Sequence, residues 1–185
     1  MPAERGVPTV EVAPPVEEPI RVLVPSRIGP LGVEFQRTAI TRIVISPSGA
    51  TRRLFYPLSD YEASEFLDEV FGRLSEYLAG ARRSPDLEFE MTAPELDSFG
   101  RRVLKETTRI PYGKTRTFKE IAEAAGRPES YRQVAAILER NPLPLLVPCH
   151  RVVPGKQGVG GWVGGPSRKR WLLRLEQELA AQLTA

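Results

Sequence analysis

The first 18 residues carry no hydrophobic period: Pro, Glu and Val recur without building a face. Such a segment buries too little apolar surface to offset the entropy of ordering it, and it predicts a flexible arm. From Ile20 the pattern becomes short runs rich in β-branched residues, at 21–24, 32–36 and 39–45, broken by Gly29-Pro30 and Pro47-Ser48-Gly49. These predict strands of a mostly antiparallel sheet, with residues 51–56 as a further strand. The period then lengthens. Asp60 predicts an N-cap, and Phe66, Leu67, Val70, Phe71, Leu74, Tyr77 and Leu78 follow at helical spacing as far as Gly80. This helix is expected to cover one face of the sheet. Nothing in residues 1–91 offers a catalytic grouping, so residues 19–91 are expected to be a scaffold domain.

Residues 82–91 connect two halves, with Leu87 and Phe89 alternating as in a short strand, and a second domain is expected over 92–185. Thr92, Pro94 and Glu95 fit a capping box with proline in the first turn, and Leu96, Phe99 and Val103 follow on one helical face. Thr117 and Glu120 form another capping box, opening a short helix through Ile121, Ala122 and Ala125 that stops at Gly126. Pro128 starts a further helix reaching about Arg140. Two short helices around a glycine turn, the second bearing Arg132 and Gln133, fit a helix-turn-helix, although any helical hairpin shares that pattern. Ala135 and Ala136 allow its backbone to approach a surface closely, as a narrow groove requires. Ser167 is the expected cap of a last helix with Trp171, Leu172, Leu175, Leu179 and Leu183 as its apolar stripe. The whole pattern is α+β.

Charge separates the halves more sharply than the net of +3 suggests. Residues 1–91 hold 10 Lys/Arg against 14 Asp/Glu, a net of −4, and residues 92–185 hold 16 against 9, a net of +7. A basic second half suits a polyanion, though a solvated basic surface gives the same count. The single cysteine excludes an intrachain disulfide and favours a reducing compartment, and one Cys with one His cannot form a conventional zinc site. No run has the length of a transmembrane helix and the start lacks the blocks of a signal peptide, so a soluble, cytoplasmic protein is expected, without a membrane partner.

The only cysteine and the only histidine fall together in Asn-Pro-Leu-Pro-Leu-Leu-Val-Pro-Cys-His-Arg-Val-Val, residues 141–153. Pro142, Pro144 and Pro148 keep this apolar run out of helix. An unperturbed thiol is only a few per cent ionised near pH 7, so a nucleophilic Cys149 needs a base. His150 can serve through a turn or a bridging water, because neighbours on an extended segment point apart. The plain alternative is a buried, inert cysteine beside a structural histidine. Glu176, one turn after Leu172, lies at the edge of the last apolar stripe, where a carboxylate is costly without a partner. A histidine is the obvious one.

Pro148-Cys149-His150-Arg151-Val152-Val153 closely resembles the active-site signature of the O6-alkylguanine-DNA alkyltransferases, the methylated-DNA-protein-cysteine S-methyltransferases. The resemblance extends from about Phe99 to Glu176, through Ile110-Pro-Tyr-Gly-Lys-Thr, Gly126-Arg-Pro, Arg132-Gln-Val and Asn141-Pro, in the family's order and spacing. It implies an RNase H-like first domain and a winged-helix-like second one. It further implies that Glu176 orients His150, that His150 deprotonates Cys149 through a water with Asn141 bracing the network, and that the thiolate takes the alkyl group irreversibly, once per molecule. Arg132 is then the residue that replaces a rotated base in the minor groove, with Gln133, Ala135, Ala136, Phe118 and Arg151 at the DNA. Phe118, Val147, Pro148, Trp162, Val163 and Gly164 form the implied pocket. No cofactor or metal is required. The partner is duplex DNA carrying O6-alkylguanine, with O4-alkylthymine as a further candidate; a monomer in solution is expected, and cooperative assembly on DNA stays open.

Three positions depart from the family: Phe118 for a tyrosine whose hydroxyl assists base rotation and leaving-group protonation, Trp162 for a tyrosine or phenylalanine, and Tyr131 for a small residue before the arginine. They keep alive a lesion binder that transfers nothing, of the alkyltransferase-like kind. A helix-turn-helix regulator explains neither the Cys-His segment nor Glu176, and a cysteine hydrolase needs direct His150 contact and an oxyanion hole.

Overall fold

The computed structural model describes residues 18–61, 64–91, 96–155 and 158–182. Three alternating runs pair as the pattern predicts: β1 (Ile20–Val24), β2 (Leu31–Gln36) and β3 (Ala39–Ile45) are consecutive antiparallel strands. The next segment differs from expectation. Gly49 enters the left-handed region at φ 54°, the chain makes a helical turn, α1 (Gly49–Arg52), and only Tyr56–Pro57 forms β4, parallel to β1. The turn is closed by Arg52 Nη1 donating to Phe55 O at 2.9 Å. The Phe55 ring then lies over Gly32, where an added Cβ would meet it at 2.8 Å. The sheet order is β3-β2-β1-β4.

The covering helix α2 spans Glu65–Ala79 and is entered from Ser64, not Asp60. Asp60 instead ends a 3-10 turn, because Tyr61 is extended and anchors its hydroxyl on Arg21 O at 2.9 Å. Leu67, Val70, Leu74, Tyr77 and Leu78 are buried as the spacing predicts, and the Phe35 ring of β2 meets Phe66 and Phe71 edge-on at 5.4 and 6.2 Å. Gly80, at φ 81°, terminates the helix. In the connection only Phe89 bridges the sheet, opposite Ile40.

The helix α3 (Ser98–Thr108) is capped by Asp97, which accepts from Gly100 N at 2.7 Å; the expected capping box at Thr92 lies outside the described residues. A short strand, β5 (Arg116–Thr117), precedes α4 (Phe118–Ala124), where the capping box of Thr117 and Glu120 is present in both directions. After Gly126, at φ 82°, a 3-10 turn Pro128–Ser130 leads into α5 (Tyr131–Glu139), giving the expected pair of short helices. The strand β6 (Val152–Val153) pairs parallel with β5, and α6 (Pro166–Gln182) closes the described chain. Proline occupies its first position, where a missing N–H costs nothing, so Ser167 lies inside the helix and is not its cap.

One hydrophobic cluster runs from Val22 through α2, α3 and α5 to Leu172, uniting both halves of the chain. Two polar ties reinforce it. Ile43 N of β3 donates to Pro142 O at 2.8 Å, and Arg168 of α6 donates to Ile28 O at 2.5 Å and to Ser46 Oγ at 2.7 Å. The expected arm lies almost wholly outside the described residues. Among the described residues no helix is long and apolar enough to cross a membrane.

Candidate active site

Barred from helix by its prolines, the segment after Asn141 folds back on itself: Val147 N donates to Leu143 O at 2.8 Å, and Leu145 takes φ 80°. A bulky residue in that region costs about 1–2 kcal/mol, set here against full burial of the Leu145 side chain. Pro148 leads into a 3-10 turn, Cys149–Arg151. At three residues per turn, successive side chains point roughly 120° apart. Cys149 lines a cavity, while His150 and Arg151 reach α6.

Cys149 is 2% exposed and lines a cavity of about 230 Å³ with Phe118 of α4, Ala135 of α5, Pro154, Trp162 and Lys169 of α6. Two N–H groups point at its sulfur, Asn141 Nδ2 and Trp162 Nε1, each at 3.1 Å. The amide is held in that sense because Asn141 Oδ1 accepts from Leu143 N at 3.1 Å while Nδ2 also donates to Val147 O at 3.0 Å. Burial pushes the thiol pKa up, and the donors Asn141 and Trp162 with the Lys169 charge pull against it. Lys169 is 1% exposed, its ammonium bonded to Val152 O at 2.7 Å and Gly161 O at 3.0 Å. Burial lowers its pKa to about 8, so most of it is charged at neutral pH.

Glu176 of α6 faces the same turn. Its Oε1 accepts from His150 Nε2 at 2.8 Å, from Tyr77 Oη at 2.7 Å and from Arg151 Nη2 at 3.0 Å; Oε2 accepts from Arg151 Nε at 2.9 Å and Gly113 N at 3.1 Å. Burial would raise the carboxyl pKa, but His150 and Arg151 outweigh it and hold the group at about 2. Burial lowers the His150 pKa against the pull of Glu176, with Arg151 and Lys169 adding to the lowering. A neutral imidazole facing an ionised carboxylate must carry its proton on Nε2. Nδ1 is then a bare lone pair, buried without a hydrogen-bond partner among the described residues.

The structure therefore brings Cys149, His150, Glu176 and Asn141 together. Phe118 and Trp162 line the thiol cavity. Val147 and Pro148 are buried behind the cysteine, Val163 lines a separate cleft beside Arg42 and Arg140, and Gly164 lies under the Trp162 ring. None of these four lines the thiol cavity, whose remaining wall is Leu138 and Glu139 of α5, Val152, Gly160 and Gly161. On α5, Arg132, Gln133 and Ala136 are exposed and Ala135 is half-buried. Arg151 corrects the expectation of a DNA contact: its guanidinium is spent on Glu176 and on Ile110 O at 2.8 Å, inside the molecule. Two site residues escaped the sequence. Tyr77 sits in the apolar stripe of α2 like any core aromatic, and Lys169 lies in an Arg-Lys-Arg run that reads as a solvated face.

Residues 98–178 match the family described as 6-O-methylguanine DNA methyltransferase, DNA binding domain. The methylated-DNA–protein-cysteine methyltransferase of Methanosarcina barkeri is 38% identical over 126 residues, covering 68% of this chain and 78% of its own. That of Archaeoglobus fulgidus is 37% identical over 140 residues, covering 72% and 90%. Among solved structures, the O6-methylguanine methyltransferase of Mycobacterium tuberculosis superposes with a TM-score of 0.74 at 31% identity over 87% of this chain and 94% of that one. Mycobacterium tuberculosis OGT in complex with DNA gives 0.73 at 31% identity, over 86% and 93%. With this extent of similarity over both halves, and the Cys149 turn at its centre, the chain belongs to the methylated-DNA–protein-cysteine methyltransferase family.

Proposed function

We propose that this protein repairs duplex DNA by moving the alkyl group of O6-alkylguanine onto Cys149, once and irreversibly. The observation that carries the reading is the 2.8 Å contact of His150 Nε2 with the Glu176 carboxylate, which leaves the buried Nδ1 of the residue next to Cys149 with a free lone pair. A water between Nδ1 and the thiol passes the Cys149 proton to the imidazole. The thiolate attacks the alkyl carbon, the S–C bond forms as the C–O6 bond breaks, and guanine leaves with the bond pair and gains a proton at N1. The imidazolium proton balances that uptake. The thioether product has no group nearby able to cleave it, so each chain reacts once. No step requires a metal or cofactor.

Base delivery is assigned to α4 and α5, read as the helix-turn-helix of a winged-helix-like unit packed against an RNase H-like sheet domain. A second cavity of about 410 Å³, lined by Tyr131 and Arg132, shares Phe118, Ala135 and Pro154 with the thiol cavity. It lies next to the thiol cavity, on the side of the exposed Tyr131 and Arg132 of α5. An alkylated guanine pairs poorly, so rotating it outward costs less than for a normal base, and Arg132 is placed to fill the gap in the minor groove. Phe118 supplies bulk at the pocket without a hydroxyl, so leaving-group protonation falls to solvent or backbone groups.

Binding and transfer should separate in Cys149→Ala. The variant is expected to retain affinity for duplex DNA carrying O6-methylguanine, measured by fluorescence anisotropy, and to remove no methyl group from it. Equal methyl removal by wild type and variant would exclude Cys149 as acceptor. Tight binding by both without removal would indicate a lesion sensor.

A further inference from the structure

We propose that Trp162 is a further catalytic residue: its indole N–H is a second hydrogen-bond donor to the Cys149 sulfur and stabilises the thiolate that attacks the alkyl carbon. An indole nitrogen can only donate. The 3.1 Å contact from Nε1 to Sγ is therefore N–H···S, with sulfur as acceptor. The donor is preorganised by its surroundings. The six-membered ring lies over Gly164 so closely that an added Cβ would come within 2.2 Å of it, and His150 meets the ring edge-on at 5.9 Å. Hydrogen bonds to backbone carbonyls fix both flanks: Lys169 Nζ donates to Gly161 O at 3.0 Å, Gly165 N to Trp162 O at 2.8 Å, and Arg168 Nη1 to Gly164 O at 3.0 Å.

The contact favours one protonation state. A thiol sulfur is a weak acceptor and a thiolate a strong one, so a fixed donor stabilises the anion selectively, more so where the sulfur is 2% exposed and poorly solvated. Asn141 supplies one such donor and Trp162 the other. A phenylalanine or tyrosine ring at this position has no N–H to offer.

The test is the ionisation of Cys149 in the full-length protein. As the chain's only cysteine, it alone contributes thiolate ultraviolet absorbance once Cys149→Ala is subtracted. In Trp162→Phe the titration midpoint is expected to rise by about one pH unit, the displacement produced when a charged acceptor loses one donor. An unchanged midpoint overturns the proposal. Methyl-transfer rates add a signature that altered positioning does not give. With a Brønsted slope of about 0.4–0.5, as for thiolates attacking disulfide sulfur, the variant is about threefold slower at neutral pH and about threefold faster above both midpoints. A uniform loss at every pH contradicts the proposal. Should Trp162→Phe fail to fold, the wild-type indole N–H resonance decides: it should shift with Cys149 ionisation and stay fixed in Cys149→Ala, and a resonance blind to that ionisation overturns the assignment. The rate measurement rests on the transfer reading above, whereas the thiol titration does not; wild type without methyl transfer but with a displaced titration in the variant removes only the transfer reading.

Discussion

Glu176 is the residue on which the chemistry turns, because it does two tasks that burial alone would forbid. It stays ionised while almost fully enclosed, and by staying ionised it fixes the imidazole tautomer that leaves Nδ1 basic. Tyr77 Oη, at 2.7 Å, is one of its donors and comes from the other half of the chain. Tyr77→Phe keeps the packed ring and removes that bond, with an expected stability loss of about 1–3 kcal/mol, measured by denaturant unfolding, and slower methyl transfer with lesion affinity unchanged. An unaltered transfer rate would confine Tyr77 to packing. At this scale the sequence was informative wherever a residue broke its local pattern. Cys149 and His150 are single in composition, and Glu176 interrupts an apolar stripe. Tyr77 and Lys169 break no pattern; their roles exist only because α2 and α6 meet the Cys149 turn. Arg151 was misplaced for a related reason, since nothing local distinguishes a guanidinium destined for a buried carboxylate from one meant for phosphate.

Among elements, those determined locally were legible and those determined by contacts were not. The capping box of Thr117 and Glu120 closes within four residues and is present as read. Asp60 had the chemistry of a cap, but the Tyr61 hydroxyl anchored on β1 extends the chain there and moves the helix start to Glu65. Residues 51–56 had strand composition, yet only Tyr56 is in a strand, and the residues before it form a turn that lays Phe55 over Gly32. Gly164 was expected in the pocket wall by resemblance; in the structure it leaves room for the Trp162 ring. Gly164→Ala places a methyl group within 2.2 Å of that ring, so the indole must move off the thiol. The expected outcome is a raised Cys149 titration midpoint and slower transfer at neutral pH, with near-native secondary structure by circular dichroism. A wild-type thiol titration would mean that the ring adjusts without leaving the sulfur.

The whole molecule joins an acidic half to a basic half through one hydrophobic cluster, and the polar network is buried where they meet. Its pH dependence follows from two depressed pKa values. Burial holds the folded His150 pKa below the 6.5 of the unfolded imidazole, so its contribution is complete above 6.5 and is lost as pH falls beneath that value. Glu176 titrates at about 2 in the fold against 4.5 otherwise, so its contribution is complete above 4.5 and lost between there and 2. That second loss is roughly 3 kcal/mol. Denaturant unfolding should show stability declining through both windows, and Glu176→Gln should flatten the lower one while unfolding more readily at neutral pH, because Arg151 is left buried without its counter-charge. A wild-type profile flat between pH 6.5 and 2 would contradict the buried ionised network.

The most direct test of the central claim is the intact mass of the protein after incubation with excess duplex DNA carrying a single O6-methylguanine, followed by peptide mapping. The expected result is a gain of one methyl group per chain, located on Cys149, that does not increase with time or with further DNA and is absent in Cys149→Ala. Methyl loss from DNA with no gain on Cys149, or more than one lesion repaired per chain, would contradict it.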